Sequence, residues 1–322
     1  MKMQTEKTSR ILWIDVAKGI TIILVVLGHS SLPSTISRFI WAFHMPLFFL
    51  VSGGATNWKK YTFFKFLLRR MKTLVLPFCI YSIVLGSILA IDTRSCDIIW
   101  RVLKNGWGGY ALWFIPVLFV ACIIVKGVYL IGSRIGIWLL NIMLLCTAGT
   151  LDYFKILLPW NISTVFFASF LIIMGSELKC IYPKLERTNT IVFYMAIFLT
   201  LGISHYWRLD MCSNEVMPIL PITIAAFSGS LVVVILSIWI VKNVPLGSNI
   251  LQHIGRETFV IVAFSQVIII LLNKYVTSNV LVKYGLLVIT IILITLLKNR
   301  IKTIISLVPV SKGHQCLKNI DL

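Results

Sequence analysis

The chain has 322 residues, of which 58% are hydrophobic and only 13% charged, and its mean hydropathy is +0.94. A soluble domain carries about a quarter of its residues as charges, so the composition excludes a disordered chain, a coiled coil and a water-soluble globular enzyme. The remaining charge is lopsided, 30 Lys+Arg against 11 Asp+Glu for a formal +19, which in so apolar a chain points to membrane topology before nucleic acid.

Crossing a bilayer as a helix takes about 20 mostly apolar residues. Windows of that kind occur at 11–31, 38–56, 73–91, 111–131, 135–151, 160–177, 190–205, 218–241, 257–273 and 279–297. They predict an all-α integral membrane protein of about ten transmembrane helices. The whole of 1–322 reads as one transmembrane domain with a basic tail from about 298. The second window is the least regular, being interrupted by Pro46 and the Gly53-Gly54 pair. With the N-terminus inside, the cytoplasmic segments hold 21 Lys+Arg and the outer segments 8, while Lys18 lies within the first span. That bias places both termini in the cytoplasm. The first window is too long for a signal sequence and contains Asp15 and Lys18, so it is read as a retained span.

Ionisable residues inside a span cost about 2.5–3.5 kcal/mol each on insertion scales and are functional candidates by default. Asp15, Lys18 and His29 share one stripe of the first helix at 100° per residue, with Lys18 and His29 about 16 Å apart along the axis. Such a stripe must face the bundle interior or a water-filled cavity. Asp15 and Lys18 also read as a local i,i+3 ion pair. Next in the chain is Phe43-His44-Met45-Pro46, which brings a second imidazole to the outer end across a short loop. Imidazole suits general acid–base work because it titrates near neutrality. The alternative for His44 is an interfacial histidine beside Trp41.

Between the second and third windows, Lys65, Arg69 and Lys72 fall at i, i+4 and i+7 beside Arg70, so a helix there presents a cationic face. It reads either as positive-inside retention near anionic lipid or as an anion site for a phosphorylated cytosolic ligand. The seven cysteines show no CxxC and no metal-ligand spacing, so no metal is expected. Cys96 and Cys212 both fall in outer loops, which leaves a disulfide between them open.

These residues also carry a resemblance. Asp15-Val16-Ala17-Lys18-Gly19-Ile20 through Gly28-His29 is similar to the opening motif of membrane-bound acyltransferase family 3, the bacterial surface-polysaccharide O-acyltransferases. It is most similar to the fucose 4-O-acetylase-like branch, where Lys stands in a basic position usually held by Arg. The likeness continues in Phe43-His44-Met45-Pro46-Leu47-Phe48-Phe49, Ser52-Gly53, Arg69-Arg70, Leu112-Trp113-Phe114-Ile115-Pro116, Asp210-Met211 with Asn214, and Ile254-Gly255-Arg256-Glu257-Thr258. The ninth helix departs from the pattern. Many relatives have a His there, and this chain reads Ala263-Phe264-Ser265-Gln266.

The resemblance implies acyl transfer from a cytosolic acyl-CoA, usually acetyl-CoA, to a sugar hydroxyl, in a multi-pass protein of the bacterial inner membrane. His29 and His44 would be the catalytic pair. Lys18, Lys65, Arg69 and Arg70 would bind the CoA donor, and Asp15, Trp113, Asp210 and Asn214 the carbohydrate acceptor, with Trp107, Tyr110 and Trp207 as stacking faces. The implied partners are membrane lipid, acyl-CoA and the carbohydrate acceptor, with no nucleic acid and no metal. The competing class is a secondary transporter or polysaccharide-export component. It has the same span count, but it often shows pseudo-repeated halves, and no such repeat is visible here.

Overall fold

Hydrocarbon offers no partner to backbone N–H and C=O groups, so a spanning chain must pair them within itself. The computed structural model of the protein describes residues 12–29, 32–95, 97, 100, 110–180, 185, 190–276 and 279–307. Among these the chain forms α1 (Leu12–Gly28), α2 (Ser34–Trp41), α3 (His44–Ala55), α4 (Phe63–Arg70), α5 (Leu76–Thr93), α6 (Phe114–Leu130) and α7 (Arg134–Tyr153). It continues with α8 (Ile162–Glu177), α9 (Thr190–Tyr206), α10 (Ile219–Asn243), α11 (Pro245–Arg256), α12 (Thr258–Tyr275) and α13 (Val280–Leu307). The described residues contain no strand, only an isolated antiparallel bridge between Asp210 and Glu215.

Among the described residues, eight helical stretches are long and apolar enough to cross a membrane. The 17-residue helices α1 and α9 occupy the two remaining predicted windows. The protein is an all-α, multi-pass membrane protein. Large apolar side chains such as Ile83, Ile91, Leu139 and Phe198 are exposed along the spans, as lipid-facing positions should be. Several buried hydroxyls bond back to their own helices. Thr21 donates to Ala17 O, Thr200 to Ala196 O and Ser237 to Val233 O.

The residues form two compact units, Met1–Gln266 and Val267–Leu322. Every candidate site residue belongs to the first. The second comprises the end of α12 and α13, where Lys283 is buried with its Nζ 5.6 Å from the centroid of the Tyr284 ring.

Three local features differ from the windows read in the sequence. The second span breaks at Ala42-Phe43, between α2 and α3, rather than at Pro46 or Gly53. Pro46 occupies the first turn of α3, where a missing N–H leaves no hydrogen bond unmade. Gly53 instead lets α3 and α8 touch backbone to backbone. A Cβ on Gly53 would collide with Ile172 O, and one on Gly175 with Leu50 O. The third span begins well before residue 73. α4 runs through a π-helical turn, Met71–Val75, into α5, so the cationic run is helix rather than linker.

The third difference is α11, a further helix between the windows 218–241 and 257–273. Its apolar residues Leu246 and Ile250 face outward, while Ser248, Gln252 and Gly255 are buried. The small and polar stripe at i, i+4, i+7 is the packed one, because inward contact between helices in lipid favours small residues and hydrogen bonds. It lies against α1, where a Cβ on Gly19 would strike Leu251 O and one on Gly255 would strike Asp15 O.

Candidate active site

α1 ends at Gly28 and α2 ends at Trp41, so the two short connections carrying His29 and His44 come together. The Trp41 indole donates from Nε1 to Gly28 O at 3.0 Å, which satisfies one carbonyl of the terminal turn of α1. His29 follows directly and is exposed at the cavity mouth. His44 opens α3 and is only 6% exposed. Its Nδ1 lies 2.9 Å from Ile40 O. A carbonyl only accepts, so Nδ1 carries the hydrogen and Nε2 is the basic atom of the neutral ring.

Both imidazoles line one cavity of about 40 Å³, together with Val25, Trp41, Met45, Trp113 and the 209–212 segment. Trp113 comes from a 3₁₀ turn, Tyr110–Trp113, that leads into α6. Asp210 and Cys212 come from the connection between α9 and α10. Asp210 bridges Glu215 through backbone hydrogen bonds of 3.1 and 2.8 Å. Its carboxylate accepts from Cys212 N at 3.0 Å and from Arg208 at 2.8 Å.

This connection is fixed from two other helices. Asp152, at the end of α7, is buried and accepts from Val216 N at 2.7 Å and Met217 N at 2.8 Å while pairing with Lys155 at 2.7 Å. At the start of α8, Thr164 donates to Met211 O at 2.7 Å, and Asn161 donates to Cys212 O. Burial, followed by the Asp210 charge, pushes the Cys212 thiol up to about 12. It is therefore a neutral thiol and a poor nucleophile at physiological pH. Cys212 is a free cysteine, and Cys96 lies outside the described residues.

Sequence reasoning placed Asn214 with Asp210. The structure puts it in the same connection, 2% exposed with φ +55°, but not on the cavity wall. Asp15 is further removed, roughly 21 Å along the α1 axis from His29. There it lies 3.6 Å from Arg256 of α11. Arg256 in turn reaches Gln252 at 3.4 Å, and Gln252 donates to Ser248 at 2.9 Å. Asp15 thus has an ionic partner far along the sequence. Lys18 is half-buried, one helical turn nearer the cavity. Ser265, in the Ala263-Phe264-Ser265-Gln266 stretch, is buried with no hydrogen-bond partner for its hydroxyl. Trp207 is exposed, Trp107 is outside the described residues, and of Tyr110 only the backbone is described.

The cationic run gathers beyond the far end of α3. Arg70 donates to Thr56 Oγ1 at 2.8 Å and lies 5.1 Å from the Phe66 ring centroid. Arg69 points to the exposed side, where it donates to the Tyr61 hydroxyl at 2.9 Å. Lys60 and Lys65 lie 5.3 and 5.6 Å from the same ring. A hydrogen bond from Lys60, then the charges of Arg69, Lys60 and Lys65, hold the Tyr61 phenol below its ordinary range.

Lys126, near the end of α6, is the buried cation of this region. It is 3% exposed and donates to Trp58 O at 2.6 Å and Tyr61 O at 2.7 Å, so it folds the basic connection onto α6. No sequence spacing could have shown this, because its partners are carbonyls. Among the described residues no group of three His, Cys, Asp or Glu side chains could hold a metal ion.

Fold and site together define a multi-pass helical membrane protein with a histidine-bearing cavity beside the first turn of α3 and a cationic cluster at the other end of α3. The chain belongs to acyltransferase family 3, whose acyltransferase-domain model matches residues 11–300, and it is an acyltransferase. No curated protein and no solved structure matches it.

Proposed function

We propose that the protein transfers an acetyl group from cytosolic acetyl-CoA to a hydroxyl of a cell-surface polysaccharide or lipid-linked sugar, in the bacterial cytoplasmic membrane. The observation that carries this reading is the layout of α3. His44 stands at its first residue, in the cavity shared with His29, and Arg70 binds the residue just past its end. The twelve residues of α3 separate the two by about 18 Å. A donor with phosphates at one end and a thioester at the end of a long pantetheine arm matches such a separation of cations from imidazoles.

In this reading Arg69, Arg70 and Lys65 hold the CoA phosphates, and Lys18 meets a phosphate or the pantetheine deeper along α1. His29 removes the proton from the sugar hydroxyl as its oxygen attacks the thioester carbonyl. The C–S bond breaks, and the CoA thiolate takes the proton from the imidazolium, leaving an ester and free CoA. Neutral His44 presents a lone pair on Nε2, which suits accepting a hydrogen bond from the sugar hydroxyl. The Trp113 indole is a donor by type and suits the developing oxyanion. Asp210 and the neighbouring Asn214 give the outer side its polarity toward the carbohydrate.

Mass spectrometry of surface glycans from cells with and without the gene tests the proposal. An acetyl increment that depends on the gene and disappears with His29→Ala, at unchanged protein level, is expected. Glycans of identical mass in both strains would exclude it.

A further inference from the structure

Trp41 occupies an unusual place. Its Nε1–H binds the carbonyl of Gly28, the residue immediately before His29, at 3.0 Å. The ring centroid lies 5.7 Å from that of His29 and 6.5 Å from that of His44, tilted by 53° and 51°. The Arg208 guanidinium stands 4.4 Å from the centroid of a Trp41 ring and pairs with Asp210. Three elements of the cavity therefore converge on one indole: the end of α1, the α2–α3 junction and the α9–α10 connection.

The backbone is shaped to permit this approach. A Cβ on Gly28 would lie 3.1 Å from Trp41 Nε1 and 3.2 Å from Ile40 Cγ2, tighter than side chains ordinarily pack. Glycine before His29 is what lets the indole reach the carbonyl. The Trp41 ring is also engaged by Arg208, which argues against a free stacking face for a sugar.

We propose that Trp41, with Arg208 behind it, is the positioning residue of this site: it sets the separation and orientation of His29 and His44. This rests on the reading of the two imidazoles as the acid–base pair. Small displacements of such groups are costly, since about 1 Å of misplacement can lower a rate a hundredfold. Trp41→Phe keeps a six-membered aromatic ring and removes the pyrrole ring with its N–H to Gly28 O. Trp41→Leu removes the ring as well.

Two readouts on the full-length protein in membranes test the idea. The first is CoA release from acetyl-CoA in the presence of a cell-envelope glycan extract. We expect kcat to fall roughly tenfold in Trp41→Phe and roughly a hundredfold in Trp41→Leu, with KM for acetyl-CoA unchanged. The second needs no activity. Diethyl pyrocarbonate modifies unprotonated imidazoles, and peptide mass spectrometry reads His29 against the exposed His253 of α11. The His29/His253 rate ratio should change at least threefold in Trp41→Leu. An unchanged ratio in both variants overturns the proposal, as does a native kcat in Trp41→Leu. Absence of CoA release from the native protein would count against acetyl transfer, while the labelling ratio would still decide the role of Trp41.

Discussion

His44 donates its Nδ1 hydrogen to Ile40 O, one helical turn back, at 2.9 Å. The bond fixes the tautomer of a buried imidazole and leaves Nε2 as its only basic atom. It also defines what the two histidines can do differently. His29 at the exposed mouth is free to gain and lose a proton to solvent or substrate, whereas His44 is held in one tautomer.

Replacement of His29 by Ala should therefore lower acyl transfer by about 10²–10⁴-fold, the usual contribution of a general base. His44→Ala should lower it less, because positioning is lost while a base remains. Acetyl content of the glycan, normalised to protein level, measures both. Equal rates for His29→Ala and the native protein would remove His29 from the mechanism.

Asp152→Ala should loosen the connection that carries Asp210. It leaves Val216 N and Met217 N without their acceptor, at about 1–3 kcal/mol for each buried donor. The expected result is a lower thermal midpoint in detergent and faster proteolysis between α9 and α10, with acetyl-CoA affinity retained. An unchanged cleavage rate would show that Thr164 and Asn161 hold the segment on their own.

At the opposite end, Lys126→Met keeps the aliphatic stem but strands two carbonyls, Trp58 O and Tyr61 O. Destabilisation of about 1–3 kcal/mol is expected. Affinity for acetyl-CoA should fall with it, because Tyr61 and its surrounding cations lose their anchor. Arg69→Gln should reduce donor affinity without the loss in stability, since Arg69 bonds an exposed tyrosine. Isothermal titration of CoA and thermal melting separate the two effects.

The Cys212 thiol gives a pH-dependent test. With burial and the Asp210 charge pushing its pKa up to about 12, the thiolate fraction at pH 8 is lower by roughly a thousandfold than for an ordinary cysteine. Maleimide should label it slowly at pH 8 and faster as the pH rises, because the thiolate is the reactive form. Asp210→Asn removes the second cause of the shift and should accelerate labelling at fixed pH. Rapid labelling of the native protein at pH 7 would contradict the buried, carboxylate-facing position of the thiol.

Much of the architecture was legible because the bilayer imposes a long and simple signal. All ten apolar windows became helices, since length and hydropathy decide that without reference to neighbours. The breaks within them were less legible. Pro46 is a helix breaker by type, yet in the first turn of α3 it breaks nothing, and the interruption falls one turn earlier at Ala42-Phe43. α11 is not legible as a helix from its pattern because its buried stripe is polar and small, the reverse of the pattern that marks a helix in water.

The candidate site divides the same way. His29, His44, Trp113 and Asp210 were identifiable from residue type and motif, and they meet in one cavity. Asp15 was grouped with them, yet it lies at the opposite end of α1 against Arg256. The parts played by Trp41, Asp152 and Lys126 were not legible in the sequence because each acts through backbone carbonyls or amides, which every residue possesses and no spacing reveals.

Composition and the placement of 30 Lys+Arg against 11 Asp+Glu were enough to determine a multi-pass helical protein and its expected orientation. Those properties depend on transfer of each segment from water to hydrocarbon, a local quantity. Tertiary structure alone decided which polar groups meet. A distance of a few ångströms between residues such as Arg208 and Trp41 arises from the packing of helices far apart in the chain, and no local quantity encodes it.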